Sequence, residues 1–271
     1  CGEPLQMRFT QVDKIAAALQ LEQDSELRVS AALLYTLRLN AGNGHTCLPR
    51  AQLVASVARF LSVEPDRVDR LLSRALEEDE VRGLPMGDRE FVFLPDLFSA
   101  EQDIAARLRE LAAHPLEPGR SVELDLQVLE RAQGFSYAPA QREAIRLAVS
   151  SRVMVLTGGP GTGKTTTVNA IIALLEHQGE RVCLCAPTGR AAKRLEELTG
   201  HRASTIHRLL EVDYTGGVVR FIHNEKNLLR CDAVILDEMS MVDVKLFQSL
   251  LAALRAGCRI IMVGDANQLP S

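Results

Sequence analysis

Val153-Met154-Val155-Leu156-Thr157-Gly158-Gly159-Pro160-Gly161-Thr162-Gly163-Lys164-Thr165 reads as a short apolar strand running into a glycine-rich loop and then a helix. Gly158 to Thr165 match G-x-x-x-x-G-K-[ST] at every position, in the strand-loop-helix setting that this pattern requires. The physics is local. Glycines let the main chain curl so that successive N–H groups point at one cluster of phosphate oxygens, and the helix start adds its positive end. Gly159, Pro160, Gly161, Thr162, Gly163, Lys164, Thr165 and Thr166 are therefore candidate nucleotide-binding residues. Lys164 is also a candidate catalytic group, bringing a mobile charge to the β- and γ-phosphates, and Thr165 is a candidate Mg²⁺ ligand. ATP and Mg²⁺ are the cofactors that this chemistry calls for.

Downstream, Val234-Ile235-Leu236-Asp237-Glu238 is an apolar run ending in two acids. Two carboxylates at a strand end mean little alone, since such pairs often only solvate an edge. About seventy residues after a complete phosphate loop, they mean more. Asp237 is the second candidate metal ligand, and Glu238 the candidate base that polarises an attacking water. In Gly264-Asp265-Ala266-Asn267-Gln268-Leu269-Pro270, Gln268 is a candidate catalytic residue that could bond a γ-phosphate and register its loss. A plain polar loop remains the other reading of that stretch.

The remaining apolar runs, Arg181–Ala186 and Arg259–Asp265, repeat the strand theme, with amphipathic helices in most of the gaps. Continuous rather than alternating apolar runs imply burial on both faces, hence an α/β domain with a parallel sheet from Pro139 onward. Gly179, Gly200 and Gly257 are placed as helix C-terminal caps. Of the six cysteines, Cys183 and Cys185 lie two apart in a strand and would share one face. None forms a C-x-x-C pair, and small buried hydrophobes in a reducing cytosol are the simpler reading.

Ahead of this domain the chain reads as short helices. Phe9–Leu19 and Glu26–Leu39 come first, then one opened by Pro49 through Leu61 and one from Pro65 to about Glu78. A hairpin follows, Val81–Leu84 against Glu90–Leu94, and Ser99 with Gln102 reads as the capping box of a helix towards His114. Three helices and a hairpin outline a winged helix. Its helix after Pro65 carries Arg67, Arg70 and Arg74 but also Asp66, Asp69, Glu77 and Glu78, so DNA contact and a scaffold or docking role both stay open. The sequence divides near residues 115 to 138.

Of 271 residues 46% are hydrophobic and 24% charged, which excludes a disordered chain. With 31 Lys+Arg against 35 Asp+Glu the net charge is −4, so a nucleic-acid contact needs a local patch. One exists: Pro139 to Arg230 holds 13 Lys+Arg and 8 Asp+Glu, about +5. No apolar run reaches the ~18 residues of a membrane span, and Cys1–Thr10 does not read as a signal peptide. The start at Cys1 suggests an upstream part.

Taken together, these motifs resemble superfamily 1 DNA helicases, and most closely the RecD-like branch. Pro139–Ile145 looks like the Q motif, whose Gln141 would read the adenine edge, and Gly158–Thr165 like motif I. Ala186–Lys193 looks like motif Ia and Ser204–Leu210 like the next DNA-contact segment. Asp237–Asp243 looks like motif II and Gly264–Pro270 like motif III. The resemblance implies a RecA-like P-loop NTPase domain over 139–271, preceded by a helical, winged-helix-like domain over 25–114, a linker or helix over 115–138, and the tail of a helix-hairpin-helix unit over 1–24. It implies an ATP-dependent, cytoplasmic helicase moving 5′→3′ on single-stranded DNA in repair or recombination, with junctions between single strand and duplex as partners and no membrane. The N-terminal region is left as a place for a protein partner. Pro187, Thr188, Gly189, Arg190, Lys193, Thr205 and His207 become candidate DNA-binding residues, because a strand end followed by a helix start offers hydroxyl, N–H and cation together. A solvated face is the alternative for Arg190, Lys193 and Arg194. A hairpin at about 212–222 would be the pin that splits a duplex, or simply a hairpin. The family places a second RecA-like lobe after motif III, where this chain stops, so the 271 residues alone are expected to hold half an ATP site and to hydrolyse little. Two rival readings are a P-loop ATPase switching protein partners, and an assembly module whose loop is structural.

Overall fold

A computed structural model describes Phe9, Gln11 and residues 25–116, 122–159, 161–213 and 220–265. The chain forms two compact units, residues 1–101 and 102–271.

In the first unit, α1 (Glu26–Gly42) starts where the Ser25 hydroxyl accepts from Arg28 N at 3.2 Å. α2 (Arg50–Leu61) and α3 (Pro65–Glu77) follow, and β1 (Cys47–Pro49), β2 (Arg82–Met86) and β3 (Arg89–Phe93) form an antiparallel sheet in the order β1-β3-β2. Leu33, Leu53, Val57, Val68 and Leu72 fill the core between them. β1 is absent from the sequence reading, and Pro49 ends it rather than opening the next helix, which begins at Arg50. Three residues closing on a proline carry no alternation to detect; their strand character comes from pairing with Phe91–Phe93. Arg50 then ties the unit together: Nε donates to Asp69 at 2.7 Å, Nη1 to Glu90 at 2.9 Å and Nη2 to Ser73 at 2.6 Å. On α3, Arg74 is already engaged by Glu78 and Glu26. Of the helix expected over Phe9–Leu19, Phe9 and Gln11 are helical and the rest lies outside the described residues.

The helix towards His114 is α4 (Pro95–Ala113), one turn longer than the reading from Ser99. Leu97 N and Phe98 N bond to Leu94 O, and Pro95 occupies the first turn, where its missing N–H costs nothing. Ser99 lies inside the helix. The proline at Pro95, not the Ser99 capping pattern, marks the helix start.

The second unit holds α5 (Val122–Gln133), α6 (Pro139–Ser150), β4 (Val153–Thr157), α7 (Lys164–His177), β5 (Val182–Ala186), α8 (Gly189–Thr199), β6 (Ala203–Thr205), α9 (Ile206–Leu210), β7 (Val212–Asp213), β8 (Arg220–Phe221), β9 (Ala233–Leu236), α10 (Val244–Ala252) and β10 (Arg259–Gly264). Five strands form one parallel sheet, ordered β4-β10-β9-β5-β6. Ile235, Ile261 and Val263 face a core with Ile145, Ile171 and Leu175, whereas Val234, Leu236, Ile260 and Met262 face the other with Leu250 and Cys185. Neighbouring residues thus enter opposite cores, which is why the strands read as unbroken apolar runs. Cys183 and Cys185 share a face, packed with Cys231 and Cys258; burial pushes the Cys185 thiol well up.

Gly200 caps α8 at φ +71° and Gly179 follows the end of α7 at φ +82°. Gly257 caps no helix. α10 ends at Ala252, five residues earlier, and Gly257 sits in the turn before β10. The short hairpin is present as β7 paired with β8, Val212 opposite Phe221, and its tip at 214–219 lies outside the described residues.

Candidate nucleotide cleft and nucleic-acid edge

Three parallel strands deliver their functional groups to one edge of the sheet. β4 runs into the glycine-rich loop, β9 is followed by Asp237 and Glu238, and β10 by Asp265. Because β10 lies between the other two, loop and acids meet across it. They line a cleft of about 600 Å³ that gathers Gly159, Gly161, Gly163, Lys164, Thr165, Thr166, Asp237, Glu238 and Asp265.

The loop's shape depends on two glycines in the left-handed region, Gly161 at φ +74° and Gly163 at φ +82°. A Cβ at Gly163 would also collide with the Gln141 amide. Lys164 Nζ reaches back over the loop to the carbonyls of Gly158 and Gly159, the latter at 2.9 Å, so its charge stands over the cradle. The Thr162 hydroxyl braces the loop by donating to Gly159 O at 2.9 Å. Pro160 and Gln268 lie outside the described residues.

Asp237 is largely desolvated, which pushes its carboxyl above the usual carboxylate range; the Glu238 main-chain N–H and the charges of Lys164 and Arg194 oppose that rise. Glu238 itself holds φ +53°, an uncommon conformation for a side-chain-bearing residue and one concentrated at functional positions. Thr165 and Asp237 bring two hard oxygen donors into the same cleft. That set suits Mg²⁺, which takes few protein ligands and completes its shell with phosphate oxygens and water.

Gln141 is not among the cleft residues. It stands on α6 at the far side of Gly163, its Oε1 accepting from Ala138 N at 3.0 Å and its Nε2 donating to Gly163 O at 3.4 Å. α6 is held by ion pairs to α5: Glu130 accepts from Arg142 at 2.9 Å and from Tyr137 N at 2.9 Å, and Glu123 takes Arg146 at 2.7 Å.

The candidate DNA residues occupy the same edge, two strands along. β5 and β6 are neighbours, with Ala186 opposite Thr205, and each is followed by a helix with a threonine cap. Thr188 accepts from Ala191 N at 3.2 Å and Thr205 from Arg208 N at 3.1 Å; each hydroxyl keeps its own proton to donate outward. Pro187 is half-buried, and Thr188, Gly189 and Arg190 are exposed. His207 is exposed too, its ring 5.8 Å from that of Phe221 at the hairpin base. Lys193 points along the outer face of α8, 3.9 Å from Glu197.

A family model for an AAA domain matches residues 141–271, and one described as the ATP-dependent RecD2 DNA helicase HHH domain matches residues 1–47. Over 275 residues the chain is 38% identical to the ATP-dependent RecD2 DNA helicase of Deinococcus radiodurans, covering 97% of this chain and 37% of the relative. Over 283 residues it is 42% identical to the RecBCD enzyme subunit RecD of Mycobacterium tuberculosis, covering 93% and 46%. The chain belongs to the RecD-like family. A third relative, the ATP-dependent DNA helicase dda of Enterobacteria phage T4, is 40% identical over 120 residues, 43% of this chain and 27% of that one. This RecD-like chain therefore spans less than half the length of the relatives it matches.

Two cleft residues of this RecD-like chain were missed in its sequence. Asp265 is buried and lines the cleft beside Gly264, although attention to that segment fell on Gln268. Its signal was its place as the first residue after a strand. Arg194 also lines the cleft, with Ala191, Leu195 and Leu198, whereas its neighbour Lys193 faces away. The i, i+3, i+4, i+7 spacing of those four would have separated the two cations. No helix among the described residues is long and apolar enough to cross a membrane.

Proposed function

We propose that this chain carries the nucleotide-binding lobe of an ATP-driven helicase that moves 5′→3′ along single-stranded DNA in the cytoplasm and opens duplex junctions in repair or recombination. The observation that carries the reading is the shared edge: phosphate loop and acids over β4, β10 and β9, candidate DNA contacts over β5 and β6. Ligands of parallel sheets bind beyond the carboxyl ends of the strands. Here nucleotide and DNA would sit there side by side. The names of the relatives, the RecD2 and dda DNA helicases and the RecBCD enzyme subunit RecD, support the same reading.

In this proposal the loop amides and Lys164 hold the phosphates, and Gln141 takes the adenine edge. Thr165 and Asp237 would hold Mg²⁺, which would supply positive charge to the phosphates. Glu238 accepts a proton from the attacking water as its oxygen bonds to the γ-phosphorus and the bond from that phosphorus to the β,γ-bridging oxygen breaks, so that ADP and phosphate leave; Gln268 registers the terminal phosphate. Thr188, Gly189, Arg190 and Lys193 bind one stretch of DNA backbone, Thr205 and His207 the next. Residues 1–24, 25–114 and 139–271 form the helix-hairpin-helix tail, the winged-helix-like domain and the motor lobe.

The test is ATP turnover by the complete protein with and without single-stranded DNA, paired with unwinding of 5′-tailed and 3′-tailed duplexes. DNA-stimulated turnover and opening of the 5′-tailed duplex alone are expected. Turnover indifferent to DNA would point instead to a switch acting on protein partners.

A further inference from the structure

Among the cations at the carboxyl edge, Arg194 stands apart. It lines the cleft that holds Lys164, Thr165, Asp237 and Glu238, yet makes no hydrogen bond or ion pair with any described residue. Its charge acts on Asp237 without a contact at ion-pair distance. A structural arginine in this unit looks different: Arg259 and Arg152 both place their donors on main-chain carbonyls. A guanidinium with unused donors, lining the same cleft as a phosphate loop, suits the oxygens of a phosphate.

We propose that Arg194 contacts the terminal phosphate of the bound nucleotide, from the same lobe as the loop, and so makes α8 sensitive to whether a triphosphate or a diphosphate is present. The inference rests on the nucleotide reading above and deepens it. On the loop side, Lys164 and the glycine amides serve the phosphates that both nucleotides share. Arg194 belongs to α8, another part of the cleft lining, and in this proposal meets the third phosphate alone. Arg190, one turn earlier on the same helix face, is a candidate DNA contact. Loss of the terminal phosphate releases Arg194 and, through the rigid α8, changes the footing of Thr188 and Arg190 on the DNA backbone.

Nucleotide affinity separates this from a purely structural role. The complete protein is titrated with N-methylanthraniloyl-ADP and with the corresponding non-hydrolysable triphosphate, both with Mg²⁺, in the parent, R194A, R194K and K164A forms. R194A is expected to keep its diphosphate affinity, which also reports that it is folded, and to lose roughly tenfold or more of its triphosphate affinity, the scale of one hydrogen bond to a charged group. R194K should fall between. An unchanged ratio of the two affinities in R194A, or an equal loss of both in R194A and R194K, overturns the inference. If K164A binds as tightly as the parent, the nucleotide reading itself fails; if K164A loses binding while R194A keeps the parental ratio, only the role of Arg194 falls.

Discussion

The best-held arginines of the parallel sheet lie at its amino edge, whereas those nearest the phosphate loop lie at its carboxyl edge with free donors. At the amino edge four arginines, Arg259, Arg152, Arg181 and Arg255, are engaged. Arg259, only 5% exposed, gives Nε to Glu180 at 3.0 Å and Nη1 to the carbonyls of Val149 and Ser151. Arg152 bonds to Gly257 O at 2.6 Å and Pro115 O at 2.9 Å, and Asp232 takes both Arg181 and Arg255. At the carboxyl edge Arg190 and Arg194 bond to no described residue, and Lys164 rests on carbonyls of the loop it serves. Cations held by carboxylates and main-chain carbonyls tie the sheet together. Arg190 and Arg194 keep free donors at the edge where the phosphate loop lies, so they are available to phosphate.

That contrast breaks most visibly at Glu238. Glu238→Gln removes a charge from the carboxyl edge and should lower ATP turnover of the complete protein by ~10²–10⁴, the usual contribution of a positioned base, with triphosphate affinity and melting temperature unchanged. Normal turnover would remove Glu238 from the chemistry. Arg259→Ala is the mirror experiment. It leaves Glu180 and two carbonyls without their partner and should cost about 3–5 kcal/mol of unfolding free energy, read from urea titration. Nucleotide affinity measured well below the transition should not change. If affinity drops with stability intact, the amino edge is more than scaffold.

How much of this was legible in the sequence depends on whether the relevant contacts are local. The phosphate loop, its strand and its helix are contiguous, so Gly158–Thr165 pointed to both the fold and the candidate site, and Asp237-Glu238 followed from one strand end. Partners far apart in the chain were not legible. β1 exists because Cys47–Pro49 meets Phe91–Phe93. The division between Lys193 and Arg194 follows from helical phase against a cleft whose other wall, at Asp237 and Asp265, lies far downstream in the chain. Ser99 and Gly257 failed for the opposite reason. Each matched a local rule, while Pro95 and Ala252 marked the actual helix ends.

A milder test concerns the DNA side of the same edge. Arg190→Ala should weaken single-stranded DNA binding about equally for all sequences, and lower the slope of log affinity against log salt by roughly one, as expected for one lost phosphate contact. Melting should shift little, since the side chain is exposed and bonds to no described residue. Arg74→Ala in the first unit is the control. Its guanidinium is held by Glu78 and Glu26, so the salt slope should stay where it is. A drop as large as that of Arg190→Ala would make α3 a DNA surface after all.

The smallest expected effect lies where a partnered cluster supports the site from behind. Glu123 on α5 takes hydrogen bonds from Arg146 and Arg142 on α6, and these hold its carboxyl below the ordinary 4.5. A carboxyl depressed in the folded state stabilises at pH above its unfolded value, and that contribution disappears as pH falls through the lowered one. Glu123→Gln should therefore melt slightly below the parent at pH 7. The two curves should converge on acidification, starting near 4.5 and closing once the parent's Glu123 is protonated. A gap that persists unchanged to the lowest pH would assign the loss to packing. Because α6 carries Gln141 against Gly163, the same variant also asks whether the cluster only steadies the fold or holds the adenine-side amide in place. Weaker binding of an adenine nucleotide with unaltered binding of inorganic triphosphate would show the latter.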